Sequence, residues 1–327
     1  SSLISGLAAI VVAMMGFGIY ALIIQQILTV LMTTVLMAWL AKWTPGLKFV
    51  VGSARELLPL GIQFTSANLI NSIYTEGRSL VIGKFYSSAD LAFFNRGNQF
   101  PALIVGNLNT PISNVMLPLM AEKKDSQNAL KSVLRKAMQL SAYLVFPMMG
   151  ILAACARPLV LVLLGQKWAD CVPYLQVACL FYLFQPLQSM NWQALKAAGQ
   201  GTLCFKLEVI KKAISFIVLI MSIPFGVFAI SLSSAFCGFV SMLINMTPNK
   251  KVLGYGIFEQ LIDVLKPSIA TLFSVVIALL LIHISNGNLI SLIVAPFGSL
   301  GCYIVLSKLM NIEGFNLLVN KLSLRRN

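Results

Sequence analysis

Apolar positions in this chain gather into seven long runs that contain no charged residue, at 1–41, 57–75, 97–121, 137–156, 171–195, 213–249 and 267–307. A bilayer core is crossed by about 20 apolar residues in helical form, so each run predicts at least one transmembrane helix. The runs at 1–41, 213–249 and 267–307 have room for two. Each of these three is broken near its middle by turn residues, Gly16-Phe17-Gly18, Pro224-Phe225-Gly226 and Asn286-Gly287-Asn288. The pattern therefore predicts an all-α polytopic membrane protein with ten helices, at 3–17, 20–41, 59–82, 98–119, 134–154, 172–195, 207–223, 227–247, 267–284 and 288–308. Two amphipathic stretches, Ser53–Leu60 and Gly256–Leu265, are expected to lie on the membrane surface ahead of spans. Pro267 then fits the first turn of the helix that follows, where its missing N–H costs nothing.

Composition agrees, with 58% hydrophobic and 10% charged residues against roughly 45–50% and 25% in soluble domains. The net charge of +14 could point to nucleic acid, but its placement points to topology instead. If connections alternate sides, one side collects 19 of the Lys and Arg residues and the other four (Lys84, Arg96, Arg157 and Lys167), with Arg78 inside a span. The positive-inside rule assigns the basic side to the cytoplasm, and both ends of the chain are expected there. Attraction to anionic lipid headgroups is a secondary consequence. Nucleic acid is not an expected partner. The six cysteines are scattered without metal-ligand spacing and there is one histidine, so neither a metal nor a cofactor is expected. The opening Ser1-Ser2-Leu3 runs directly into a span, which reads as a fragment whose upstream spans are missing.

Ionisable residues inside hydrocarbon cost about 2.5–3.5 kcal/mol on insertion scales, so they normally face protein or water. The span at 59–82 holds two, Glu76 and Arg78. Arg78 shares a helical face with Asn68, Asn71 and Thr75. Such a stripe makes one wall of a hydrated cavity with a cationic site; interhelical hydrogen bonding with a snorkelling arginine is the alternative. A second stripe joins Asn107, Thr110 and Asn114 in a helix loosened by Pro111 and Pro118, and a third joins Gln185, Gln188, Ser189 and Lys196 beside Pro186. Proline within a span frees carbonyls that need another partner or water. Packing contacts explain each stripe singly, and three together favour a polar pathway.

Catalysis finds little footing. Ten acids, one lone His283, no phosphate-binding glycine loop and no large connection leave no site for chemistry or ATP hydrolysis. Transport is then expected to draw on an ion gradient or the substrate's own gradient.

VIGKFYSSADLAFFNRGNQFP (Val81–Pro101) resembles the external loop of Wzx-type polysaccharide flippases of the MOP superfamily. LVLLGQKWADCVPYLQVACL (Leu161–Leu180), FKLEVIKKA (Phe205–Ala213) and GFGIYALIIQQI (Gly16–Ile27) are similar to that family too, with colanic-acid-exporter-like members the nearest in kind. The resemblance implies spans five to fourteen of a 14-helix, two-bundle fold. On it, 1–55 holds the last two helices of the N-terminal bundle and a linker, 56–250 a six-helix C-terminal bundle, and 251–327 two extra helices and a basic tail. It implies movement of undecaprenyl-diphosphate-linked oligosaccharide across the bacterial inner membrane by alternating access, with polysaccharide polymerase or assembly proteins as further partners. A chain without the first four spans is expected not to transport alone. Basic residues suit a diphosphate, and Arg78 is the first candidate, then Lys196, with Arg96 at the mouth. Ser87 and Asp90 also read as a capping box that opens a helix. Competing readings are an ion-coupled drug or metabolite antiporter of the same superfamily, and a non-transporting scaffold of the assembly machinery.

Overall fold

Long apolar segments in a bilayer must satisfy their backbone internally, and helices do so within one segment. The computed structural model describes residues 2–16, 18, 20–40, 76–123, 126–285 and 288–323; these residues form helices and turns, with no strand among them. The chain divides into two compact units, 1–68 and 69–327.

In the first unit, α1 (Ser2–Met14) packs on α2 (Tyr20–Leu40), joined by a turn containing Gly16 and Gly18. Thr29 Oγ1 donates to Ser5 Oγ at 2.7 Å across the pair. Most other large side chains of α2, such as Val35 and Trp39, are exposed and apolar.

The second unit contains α3 (76–85), α4 (Ser88–Glu122), α5 (Gln127–Ala154), α6 (Ala156–Leu163), α7 (Val172–Ala197), α8 (Gly201–Ser222), α9 (Val227–Met246), α10 (Asn249–Leu253), α11 (Ile257–Ile284), α12 (Asn288–Leu309) and α13 (Glu313–Ser323). Helix α7 is central, touching α4, α5 and α9, while α11 packs on α5 and α12. The main core between them is built from Leu134, Met138, Phe146, Leu187, Met190 and Met246. Two glycines set close helix approaches. A Cβ on Gly97 would come within 2.7 Å of Tyr174 Cβ and 2.8 Å of the Leu175 backbone nitrogen, and one on Gly238 within 2.8 Å of the Phe181 ring. Gly97→Ala must push α4 off α7; overpacking of this kind costs about 1–3 kcal/mol. The variant is expected to unfold several degrees earlier in detergent, read by a thiol-reactive dye that labels the cysteines, five of which are buried.

Helices occupy the expected spans wherever residues are described, but several begin earlier. Helix α4 starts at Ser88 instead of near 98, because Ser87 and Asp90 form the anticipated capping box. The segment before Asp170, expected to be a plain connection, contains α6 and a 3-10 turn at Gln166–Cys171. The expected surface strip at Gly256–Leu265 is instead the opening of α11, which runs on through Pro267. Both of its acids pair with cations of α5, Asp263 buried and Glu259 at the surface. Glu259 pairs with Lys131 at 3.0 Å, and Asp263 takes Arg135 at 2.5 Å and the Tyr255 hydroxyl at 2.5 Å. Burial and the Asp263 hydrogen bond push the Tyr255 phenol well above its usual range, so it stays a donor. Ser53–Leu60 lies outside the described residues.

Five described segments are long and apolar enough to cross a membrane: Ile23–Leu40, Gln127–Ala154, Val227–Leu253, Ile257–Ile284 and Leu289–Leu309. Helices α4 and α7 fall short of that level of hydropathy, and α8 carries too many charged residues, Lys206, Glu208, Lys211 and Lys212. All three spend polar side chains on one cavity.

Candidate functional site

Five helices of the second unit surround a cavity of about 560 Å³. Helix α3 contributes Glu76, Arg78 and Ser79; α4 contributes Phe94, Asn95 and Asn98; α7 contributes Phe181, Tyr182, Gln185 and Gln188. Helix α8 adds Glu208, Lys211, Lys212 and Ser215, and α9 adds Ser234, Cys237, Gly238 and Ser241. Three cations therefore face two carboxylates across a wall of amides and hydroxyls.

The depth of this band follows from the contacts at one end of the bundle. There the Tyr86 hydroxyl donates to the Ile223 carbonyl, and the rings of Phe94, Tyr174 and Phe228 meet edge to face in sequence. Arg78 and Ser215 each lie eight residues before that Tyr86–Ile223 contact, about 12 Å along a helix. Lys211 is one turn deeper. These groups therefore sit together more than two helical turns along α3 and α8 from that end contact.

Arg78 Nη2 donates to Ser215 Oγ at 3.1 Å, while its Nε has no hydrogen-bond partner among the described residues. Among the described residues one neutral hydroxyl is the hydrogen-bond partner of this guanidinium, which carries five N–H donors. Lys211, only 8% exposed, is fixed by Glu208 Oε1 at 2.9 Å and by the Trp192 ring at 4.6 Å. Gln188 Nε2 donates to the Gly238 carbonyl at 2.9 Å, tying α7 to α9 along the cavity wall. Chemically the site offers cationic and amide donors to an anion, with no cluster of metal ligands among the described residues.

Of the residues anticipated from sequence, Arg78, Glu76 and Gln185 line this cavity together. Arg96 lies on an adjoining recess, and Lys196 is exposed at the far end of α7, 5.5 Å from the Trp192 ring centre. Asn107 and Asn114 are exposed on α4, outside the lining; the polar contact from that part of α4 to α7 is made instead by Asn109, which accepts from Ser189 at 2.9 Å. Asn68, Asn71 and Thr75 lie outside the described residues. Lys211, Lys212 and Glu208, inside the predicted helix 207–223, were not named as site residues; the structure places them in α8 on the cavity wall. The signal was present, since Glu208 stands three and four residues before the two lysines, the spacing of a helical ion pair.

Comparison with known proteins gives consistent relatives. Residues 1–173 match the family model described as polysaccharide biosynthesis protein. Teichuronic acid biosynthesis protein TuaB of Bacillus subtilis (strain 168) is 25% identical over 61% of this chain and 42% of its own length. Succinoglycan biosynthesis transport protein ExoT of Rhizobium meliloti (strain 1021) is 23% identical over 63% of this chain and 42% of its own. Lipopolysaccharide biosynthesis protein WzxC of Escherichia coli (strain K12) is 24% identical over 52% of this chain and 34% of its own. The chain thus spans less than half the length of these curated relatives. Among solved structures, the lipid II flippase MurJ in an inward closed conformation superposes with a TM-score of 0.73 at 14% identity, over 94% of this chain and 66% of that one.

Proposed function

This chain belongs to the polysaccharide biosynthesis protein family, and from that premise we propose that it serves the passage of lipid-linked oligosaccharides across a bacterial inner membrane, with the cavity around Arg78 receiving their diphosphate. The observation that carries this reading is a recess among five helices in which Arg78, Lys211 and Lys212 outnumber Glu76 and Glu208. Burying cations there is costly, and an anionic substrate offsets that cost each time it enters. The fold shared with MurJ and the transport named for ExoT support the same class of cargo. Undecaprenyl diphosphate is the proposed carrier, alternating access the proposed mechanism, and the basic ends of the chain the proposed cytoplasmic side. The protein's part is binding and movement, without bond chemistry. An antiporter for cationic solutes fits less well, because its site needs acids in excess.

Deleting the gene that encodes this chain is expected to leave lipid-linked glycan on the cytoplasmic leaflet, restored to normal by the wild-type gene. Undiminished export in the deletion strain, with no second flippase present, would overturn the reading.

A further inference from the structure

Beside the cationic cavity, and sharing Asn95 and Asn98 with it, lies a second recess of about 480 Å³ lined by α4 and the 3-10 turn before α7. Its wall is a stack: the Arg96 guanidinium lies 4.9 Å from the Trp168 ring centre, and Phe93 meets the same indole edge-on at 5.9 Å. Arg96 Nη1 also donates to Gln99 Oε1 at 2.6 Å. The Arg96 charge is thereby engaged on a π face and an amide oxygen, and no carboxylate lines the recess. With no carboxylate in the lining, the recess is not built for a cation.

The amides show what it is built for. Gln99 Oε1 is taken by Arg96, leaving Gln99 Nε2 as a donor. Asn95 Oδ1 accepts from Ser79 Oγ at 3.2 Å, leaving Asn95 Nδ2 as a second donor. Asn98 Nδ2 donates to the Phe94 carbonyl at 2.8 Å, leaving Asn98 Oδ1 as an acceptor. Donors and an acceptor set within one helical turn, next to a flat Arg96–Trp168 wall, match neutral hydroxyl groups, each of which both gives and takes a hydrogen bond. The flat wall suits the C–H face of a pyranose ring. We propose that this recess is a sugar subsite, receiving the first residues of the glycan while the attached diphosphate occupies the Arg78 cavity next door. The inference rests on the reading given under Proposed function and adds to it a separate place for the uncharged half of the cargo.

The test uses the full chain in nanodiscs and two probes: a panel of neutral tetrasaccharides of glucose, galactose and N-acetylglucosamine, and geranylgeranyl diphosphate, which carries no sugar. Binding is followed by saturation-transfer NMR, with thermal midpoints checking that each variant is folded. At least one tetrasaccharide is expected to bind, at least fivefold more weakly to Trp168→Ala and to Gln99→Ala, and closer to normal for Trp168→Phe. The same variants are expected to hold geranylgeranyl diphosphate within twofold of wild type, while Arg78→Ala shows the reverse pattern. A chain that binds the diphosphate through Arg78 but no tetrasaccharide, or binds tetrasaccharides equally well without Trp168, would overturn the sugar subsite and leave the parent reading standing. Diphosphate binding that is absent, or indifferent to Arg78, would overturn the parent reading and this inference together.

Discussion

Replacing Arg78 by alanine is expected to abolish glycan export at unchanged membrane abundance and to weaken binding of geranylgeranyl diphosphate 10- to 100-fold. Hydrogen bonds to a charged group contribute about 1.5–3 kcal/mol, and about 1.4 kcal/mol is a factor of ten in affinity. The guanidinium spends one donor on Ser215 and leaves Nε without a partner among the described residues, so its bonding capacity is available to a ligand. Arg78→Lys keeps the charge but loses the planar fork that grips phosphate oxygens in pairs. It should retain partial export and fall between wild type and alanine in affinity. Ser215→Ala removes only a neutral orienting contact and should cost less than either. Raising salt should weaken diphosphate binding to wild type more than to Arg78→Ala, since a charge pair is what salt screens.

Asp263→Ala carries the largest expected loss of stability, about 3 kcal/mol by analogy with buried pairs broken on one side. The Asp263 side chain is 4% exposed and accepts from Arg135, from the Tyr255 hydroxyl and, at 3.4 Å, from Gln139 Nε2. Without it the fully buried Tyr255 loses the acceptor for its hydroxyl, and the tie between α5 and α11 keeps only the exposed Lys131–Glu259 pair. Arg135 is half exposed, so water recovers part of its loss. Asp263→Asn keeps a hydrogen-bond acceptor and should fall midway. Dye labelling of the buried cysteines during heating measures both; an unchanged midpoint for Asp263→Ala would refute the role given to this cluster.

Hydropathy placed the helices because a bilayer demands long apolar segments, and it found Arg78 and Glu76 because charges inside such a segment are conspicuous. It did not single out Lys211, Lys212 and Glu208, which stand at the charged start of the predicted helix 207–223. A charged stretch between two apolar runs reads as a connection, whether it lies in water outside the membrane or in a polar cavity within it. The start of α11 was misplaced by a related ambiguity. Glu259 and Asp263 give Gly256–Leu265 an amphipathic pattern, but only the partners Lys131 and Arg135, 128 residues away in sequence, decide that its polar face meets protein. The stripe of Asn107 and Asn114 had the periodicity of a lining and lies exposed on α4, while Asn109, off that stripe, makes the contact with Ser189. Trp168 gave no sequence signal of a site at all; its role depends on the 3-10 turn that brings it onto Arg96.

The most direct measurement is a photo-crosslinking residue placed at Ser79 or Ser241 in the cavity wall and, as a control, at Phe216 on the exposed face of α8. Illumination of living cells followed by mass spectrometry is expected to give adducts carrying a polyprenyl-diphosphate glycan at the two cavity positions, absent at Phe216 and lost when Arg78→Ala is added. Adducts with ordinary phospholipid alone at all three positions, or glycan adducts unaffected by Arg78→Ala, would contradict the claim that this cationic recess receives the head of a lipid-linked sugar.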